Sequence, residues 1–136
     1  MAVLSITADF EREFRGTLAT PLAAVPIGTG DGRLEPYDML LGALASCYYA
    51  NFLDIADKKR LSFSSASIAV SGEKRSEIPA TLSWVKLRVT VRGSGQRDAN
   101  AEKGFRDAAE LAGKYCSIYQ TLSKVADMAT EFVFEG

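Results

Sequence analysis

The sequence contains no histidine in its 136 residues and only two cysteines. The lack of histidine excludes nucleophiles that a neighbouring imidazole activates, such as Cys–His and Ser–His pairs. Two cysteines alone cannot complete the tetrahedral shell of a usual zinc site, and we predict neither a metal nor a cofactor. A reactive thiol in this chain must therefore be activated by an arginine, a lysine or a helix terminus.

Strong charge of either sign is missing as well. The net charge is −1 and there is no long basic run, which argues against a nucleic-acid partner. The N-terminus does not resemble a signal peptide. The apolar stretch 39–53 has 15 residues, which is short of the roughly 20 that a membrane-spanning helix needs. We therefore expect a cytoplasmic protein without a membrane partner, folded as a single domain over residues 1–136.

The stretch 39–53 is the most apolar part of the chain, and Asn51 is the one residue in it that carries a charge or an amide. With its flanks it predicts one long helix that begins at Tyr37 and ends near Lys59. Asp38 places a negative charge at the positive end of the helix dipole. Because apolar residues surround this helix on all sides, we expect other elements to cover most of its surface.

The remaining segments have the patterns of strands and helices. The predicted order is β-β-β-α-β-β-α-α-β, an α+β fold in which runs of strands are separated by helices. Strands are predicted at 2–8, 14–20, 23–27, 62–74, 82–92 and 130–134, and the shorter helices at 101–113 and 118–125. Asp98 or Asn100 can cap the first of these shorter helices, and Gly113 is predicted to end it.

The two cysteines have different settings. Cys47 lies in the middle of the long helix, where a free cysteine is often inert packing. Cys116 lies just after Gly113 and just before Ser117, which can cap the next helix, and a sulfur near a helix N-terminus favours the thiolate. Only the fold can bring the two residues to the roughly 5.5–6 Å Cα separation of a disulfide. Such a pair indicates redox chemistry more than structural cross-linking.

Two segments of the sequence carry a family resemblance. Residues 36–47 read Pro-Tyr-Asp-Met-Leu-Leu-Gly-Ala-Leu-Ala-Ser-Cys, and residues 114–122 read Lys-Tyr-Cys-Ser-Ile-Tyr-Gln-Thr-Leu. They resemble the central helix and the second cysteine segment of the OsmC/Ohr family, the osmotically inducible and organic-hydroperoxide-resistance proteins. Tyr37 stands where the peroxidases of the family have glutamate, and Ser117 where they commonly have proline. The acid at Asp38 looks more like the OsmC-like branch.

This resemblance implies an OsmC-like fold, with antiparallel sheets around a long central helix, in an intertwined homodimer. It implies a thiol-dependent peroxidase that reduces organic hydroperoxides. Cys47 would attack the peroxide and become a sulfenic acid, and Cys116 would resolve that acid to a disulfide. An external dithiol would then restore both thiols.

The resemblance also implies an arginine from the N-terminal strands beside Cys47. Arg12 is preferred over Arg15, because continuous strand alternation would turn Arg12 to the same side as Phe10 and Phe14. Asp38 would orient that guanidinium through a bidentate contact. Exposed hairpin charges would equally explain Arg12, and the helix dipole would equally explain Asp38.

Candidate substrate contacts are Tyr37, Tyr48, Phe52 and Tyr119, which could line an apolar pocket, although aromatic residues at helical spacing are also typical of a protein core. Two other functions stay open at this point. One is a non-catalytic, stress-associated protein that binds an apolar small molecule at its dimer interface. The other is a thiol redox sensor that is oxidised without turnover.

Overall fold

The computed structural model describes residues 2–95 and 98–135. Its elements follow the predicted order β-β-β-α-β-β-α-α-β. They are β1 (Thr7–Phe10), β2 (Arg15–Ala19), β3 (Ala24–Gly28), α1 (Pro36–Lys58), β4 (Ser65–Lys74), β5 (Leu82–Arg92), α2 (Ala99–Tyr115), α3 (Ser117–Ser123) and β6 (Asp127–Glu135). The chain divides into two compact units, Met1–Leu40 and Leu41–Gly136.

The first unit contains an antiparallel sheet in the order β1-β2-β3. Thr7 pairs with Ala19, the last residue of β2. Residues 2–6 extend past the end of that partner strand, and the predicted strand at 2–8 is therefore wrong in its first part. Within this sheet, Ile27 and Gly28 are buried, whereas all four residues of β1 are exposed.

The first turn of α1 also belongs to the first unit. Pro36 occupies the first helical position, where its missing N–H leaves no helical hydrogen bond unmade. The backbone N–H of Glu35 donates to Asp38 Oδ2 at 2.9 Å. This is one half of a capping box, in which a side chain in the first turn reaches back to the residue before the helix.

The second unit contains a sheet in the order β4-β5-β6. β4 and β5 form the predicted antiparallel hairpin, but β6 runs parallel to β5. The prediction of antiparallel sheets is therefore wrong for this last strand. Two helices, α2 and α3, separate β5 from β6 along the chain, and parallel neighbours require a crossover connection of this kind.

The core of the second unit lies between its sheet and its helices. Alternate residues of β5 are buried, in keeping with a strand that has one covered face. The buried side chains include Leu44, Tyr48, Phe52 and Ala56 of α1, Val85, Leu87, Val89 and Val91 of β5, and Phe105, Ala108, Ala109 and Ala112 of α2. The four from α1 are spaced every four residues and form one stripe.

The other faces of α1 in the second unit are less covered than the sequence predicts. Gly42, Ala43, Ser46 and Ala50 are exposed, and Leu53 is 38% exposed. By length and mean hydropathy, 1.3, α1 could also cross a membrane. The core helix of a soluble protein passes the same test, and α1 contributes its buried stripe to the core of the second unit.

Candidate active site at Cys47 and Cys116

Cys116 lies at the junction of two helices in the second unit. Its backbone N–H donates to Ala112 O at 2.9 Å and closes α2, while its Sγ accepts the backbone N–H of Tyr119 at 3.4 Å and caps α3. The predicted end of α2 at Gly113 and the predicted cap at Ser117 are both wrong. Cys116 performs both functions, and it is fully buried.

Gly113 is needed for a different reason. It is a buried residue inside α2, and a Cβ atom built there would lie 3.3 Å from carbons of the Tyr119 ring. The missing side chain therefore lets the aromatic ring of α3 approach α2 closely. The Nε2 of Gln120 donates to the Gly113 carbonyl at 3.1 Å, which fixes the two helices further.

Cys47 projects from α1 towards this junction and is half-buried. Its sulfur is within hydrogen-bond reach of the Cys116 side chain and of the backbone N–H groups of Ser117 and Ile118. The fold therefore brings together two sulfur atoms from distant parts of the chain. Both thiols are free, without a disulfide between them.

The surroundings act on the two thiols in opposite directions. Burial alone would raise the pKa of Cys47, but hydrogen bonds from the Ile118 N–H, the Cys116 thiol, and the hydroxyl and N–H of Ser117 lower it below the usual cysteine value. Burial raises the pKa of Cys116, and the neighbouring Cys47 raises it further, against a lowering by the N–H groups of Tyr119 and Ile118. The start of α3 therefore favours a thiolate at both cysteines, but at Cys116 burial and the neighbouring Cys47 outweigh it. The predicted thiolate at Cys116 is wrong for this reason.

Tyr48, next to Cys47 in sequence, points the other way, into the core. It is 0% exposed, and its hydroxyl donates to Ala109 O at 2.6 Å, which ties α1 to α2. Burial raises the pKa of Tyr48 well above its usual range, so the phenol keeps its proton. Phe52 is also 0% exposed and packs against Phe63 and Phe132, with ring centroids 5.9 and 6.2 Å away. These placements favour core packing over substrate contact for Tyr48 and Phe52.

Asn51 is a site neighbour to which the sequence alone assigns no function. Its side-chain Nδ2 donates to Cys47 O at 2.9 Å and lies 3.9 Å from Cys47 Sγ. The signal that could have identified it is its position, since Asn51 is an amide four residues after a cysteine on an otherwise apolar helix.

Tyr119 connects the cysteine pair with a cleft of about 380 Å³ between α2 and β6. The Arg106 guanidinium lies 5.9 Å from the Phe132 ring centroid. The cleft is lined by Arg106, Ala109, Glu110, Tyr119, Met128, Ala129, Thr130 and Phe132. Because the Tyr119 N–H contacts Cys116 Sγ while the same residue lines the cleft, a molecule bound there would lie close to Cys116.

The remaining candidates belong to the first unit. Arg12 is exposed in the bend between β1 and β2, so the strand alternation that would turn it towards Phe10 and Phe14 does not extend through it. Asp38 accepts the Glu35 N–H, which is sufficient to explain it as a helix-capping residue. Tyr37 is half-buried in the first turn of α1. Contacts of these residues with substrate or with Cys47 stay predictions.

Arg33 is an arginine of the first unit that sequence reasoning missed. Its Nη1 donates to Gly16 O at 2.9 Å and to Ile27 O at 3.1 Å, so backbone carbonyls hold the guanidinium in place. With Arg15 it lines a cleft of about 460 Å³ that also includes acidic and aromatic side chains of the β1 end. The only hint in the sequence is that Arg33 directly follows the glycine-rich stretch 28–32, Gly-Thr-Gly-Asp-Gly.

The fold and the site together define a class of small α+β proteins, in which a long helix carries one cysteine and a helix junction presents a second cysteine to it. A family model described as OsmC-like protein matches residues 28–131. The chain belongs to this OsmC-like family.

Individual relatives agree with this assignment. The chain is 26% identical over 104 residues to the protein YhfA of Escherichia coli K12, a match that covers 76% of this chain and 75% of that protein. An OsmC-like protein from Mycoplasma pneumoniae has a TM-score of 0.84 at 18% identity, covering 99% of both chains. The organic hydroperoxide resistance protein OhrB of Bacillus subtilis has a TM-score of 0.66 at 15% identity, covering 94% of this chain and 96% of that one. The two structures show the shared fold.

Proposed function

We propose that this protein is a thiol-dependent peroxidase that reduces organic hydroperoxides. The observation that carries the proposal is the placement of Cys47, half-buried and within hydrogen-bond reach of two α3 N–H groups and the Cys116 thiol. A lowered pKa increases the fraction of the thiolate, which is the nucleophilic form. The name of OhrB, organic hydroperoxide resistance, supports the choice of substrate class.

The first step is attack of the Cys47 thiolate on the terminal oxygen of the hydroperoxide. The O–O bond breaks, an S–O bond forms, and Cys47 becomes a sulfenic acid while the alkoxide leaves. The thiol of Cys116, already a hydrogen-bond donor to Cys47, can supply the proton that turns the alkoxide into an alcohol. Two electrons pass from the sulfur to the peroxide.

In the second step, the Cys116 sulfur attacks the sulfur of the sulfenic acid. An S–S bond forms and hydroxide leaves, which takes up a proton to become water. An external dithiol then reduces the disulfide by exchange and is itself oxidised. The assignment of the two functions follows the burial, because the half-buried Cys47 is open to a peroxide and the fully buried Cys116 is protected from it.

Tyr119 is the aromatic residue best placed to contact an organic substrate. It lines the cleft between α2 and β6, and its backbone N–H contacts Cys116. The apolar part of this cleft, with Met128 and Phe132, suits the organic group of a hydroperoxide better than it suits hydrogen peroxide itself.

We further infer a cytoplasmic homodimer. In the second unit, the exposed face of α1 presents small and apolar residues, among them Ala43, Ala50 and Leu53. In the first unit, Phe10 and Phe14 are about half exposed, and apolar surface of this kind marks an interface. Light scattering of the purified protein should give twice the chain mass of 14.7 kDa. A single chain mass would contradict the dimer.

The test of the activity is consumption of cumene hydroperoxide in the presence of dithiothreitol. The wild-type protein should consume many equivalents of hydroperoxide, and Cys47→Ser should fall to the rate of buffer alone. Ser46→Ala, an exposed neighbour on the same helix, is the matched control and should keep the activity. Full activity in Cys47→Ser would show that the assignment is wrong. A wild-type protein that consumes only one equivalent would be a redox sensor.

A further inference from the structure

Asn51 is the one amide in the apolar stretch 39–53, and it lies one helical turn after Cys47. Asparagine is a poor residue for a helix interior, because its side chain competes with the helix for backbone groups. On α1 the side chain folds back along the helix, with Nδ2 2.9 Å from Cys47 O and 3.9 Å from Cys47 Sγ. Side chains four residues apart share a helix face and lean towards the N-terminus, which explains the reach.

We propose that Asn51 is a positioning residue for Cys47, whose side-chain amide holds the Cys47 carbonyl with one N–H and directs the other at Sγ. A primary amide has two donors in one plane. The short contact to the carbonyl holds the amide nitrogen in place, and the longer contact, at 3.9 Å, is within reach of a weak N–H···S hydrogen bond. The amide is half-buried, so water competes for it less than at a fully exposed site.

The Cys47 sulfur is then held from two sides. Asn51 acts from the same helix, while the N–H groups of Ser117 and Ile118 act from α3. The benefit of this positioning rests on the proposed function. A sulfur with a fixed orientation can attack the hydroperoxide and then remain directed at Cys116 for the second step. A purely structural Asn51 would bond only the carbonyl, and the titration of Cys47 would not depend on it.

The test is the rate of Cys47 alkylation by iodoacetamide as a function of pH, measured on the labelled Cys47 peptide by mass spectrometry. Asn51→Ala should raise the apparent pKa of Cys47 by about half to one unit, a roughly three- to tenfold slower reaction at neutral pH. Asn51→Asp should raise it by more than about one unit, because a carboxylate of the same shape would then face the thiolate.

Ser46→Ala is the matched control. Ser46 is an exposed polar residue of α1 next to Cys47. Its replacement should leave the apparent pKa of Cys47 unchanged. Unchanged pH profiles in both Asn51 variants, or an equal shift in Ser46→Ala, would overturn the proposal.

The assay contains no peroxide, and its outcome is therefore separate from that of the proposed function. If the wild type fails to consume hydroperoxide while Asn51→Ala still shifts the pH profile, the positioning holds and the peroxidase proposal fails. If the wild type is active and the profile does not move, the peroxidase proposal holds and the positioning by Asn51 fails.

Discussion

The middle of α1 and the junction of α2 with α3 each carry one cysteine. The fold shifts the pKa values of these two cysteines in opposite directions. Hydrogen bonds lower the pKa of Cys47, whereas burial and the neighbouring Cys47 raise the pKa of Cys116 although its sulfur also accepts the Tyr119 N–H. The hydrogen bond between the two side chains contributes to both pKa shifts. The Cys116 thiol must keep its proton in order to donate it to the Cys47 thiolate. Two chemically identical side chains thus acquire different pKa values, as the proposed function requires of a nucleophile and its resolving partner.

The start of α3 shows how this difference arises. The first N–H groups of a helix have no partner within it. Those of Ser117 and Ile118 lower the pKa of Cys47, and those of Tyr119 and Ile118 lower the pKa of Cys116. The start of α3 therefore donates to both sulfur atoms, and at Cys116 burial and the neighbouring Cys47 outweigh these donors. The position of a cysteine at a helix start does not by itself determine its pKa.

The largest expected effect comes from removing one side of the pair. In Cys116→Ala, Cys47 should still be oxidised by one equivalent of cumene hydroperoxide, but no disulfide can form. Intact-mass spectrometry should show the gain of one oxygen atom, where the wild type shows the loss of two hydrogen atoms. Dimedone should trap the sulfenic acid in the variant only.

The reciprocal variant, Cys47→Ala, checks which of the two cysteines reacts first with the hydroperoxide. Cys47→Ala should show neither product after the same treatment, because the buried Cys116 should not react first. Rapid oxidation of Cys116 in Cys47→Ala would reverse the two functions.

The parts of this comparison that depend on local sequence could be predicted. The predicted strand 82–92 agrees with β5 because its alternation of apolar and polar residues is unbroken. The predicted long helix agrees with α1 within one residue at each end, since Pro36 and Asp38 mark its start. Asp98 caps α2 as one of the two expected residues. These features could be predicted because each depends only on residues that are close together in the sequence.

The parts that depend on distant residues could not be predicted. The sequence predicts that Gly113 ends a helix. In the structure this position needs a small residue because the Tyr119 ring packs against it. β1 begins at Thr7 and not at residue 2 as predicted, because its partner strand β2 ends opposite Thr7. The activation of Cys47 comes from N–H groups of α3, which no residue near Cys47 reveals. Sequence spacing therefore finds the two cysteines but not the donors that distinguish them.

The second effect in size is the difference in reactivity of the two thiols. Thiolate is lost as pH falls through each pKa, so the lowered pKa of Cys47 keeps it reactive to lower pH than an ordinary cysteine. Cys116 should react only at higher pH because its pKa is raised. At neutral pH, iodoacetamide should label Cys47 faster than Cys116, since the thiolate fraction of a mostly protonated thiol falls as its pKa rises. Preferential labelling of Cys116 would contradict the comparison.

A smaller effect is expected from the contact that holds the two regions together. Tyr48→Phe removes the hydroxyl that donates to Ala109 O at 2.6 Å. The loss of a buried hydrogen bond should lower the free energy of unfolding by about 1–2 kcal/mol. Urea unfolding at fixed protein concentration measures this, and Tyr49→Phe, the half-buried tyrosine next to it, is the matched control. An equal loss in both variants would show that the Ala109 contact is not the cause.

The smallest effect separates stability from reactivity. Asp98→Ala removes the cap whose Oδ1 accepts the Ala101 N–H at 2.7 Å, at the end of α2 far along the helix from Cys116. It should cost about 1 kcal/mol in urea unfolding, with Asn100→Ala as the control on the same helical turn. The labelling rates of Cys47 and Cys116 should nevertheless stay as in the wild type, because the donors that set their pKa values lie in α3 and in the cysteines themselves. If Asp98→Ala narrows the difference in labelling rate between Cys47 and Cys116, that difference depends on global stability and not on the local hydrogen bonds.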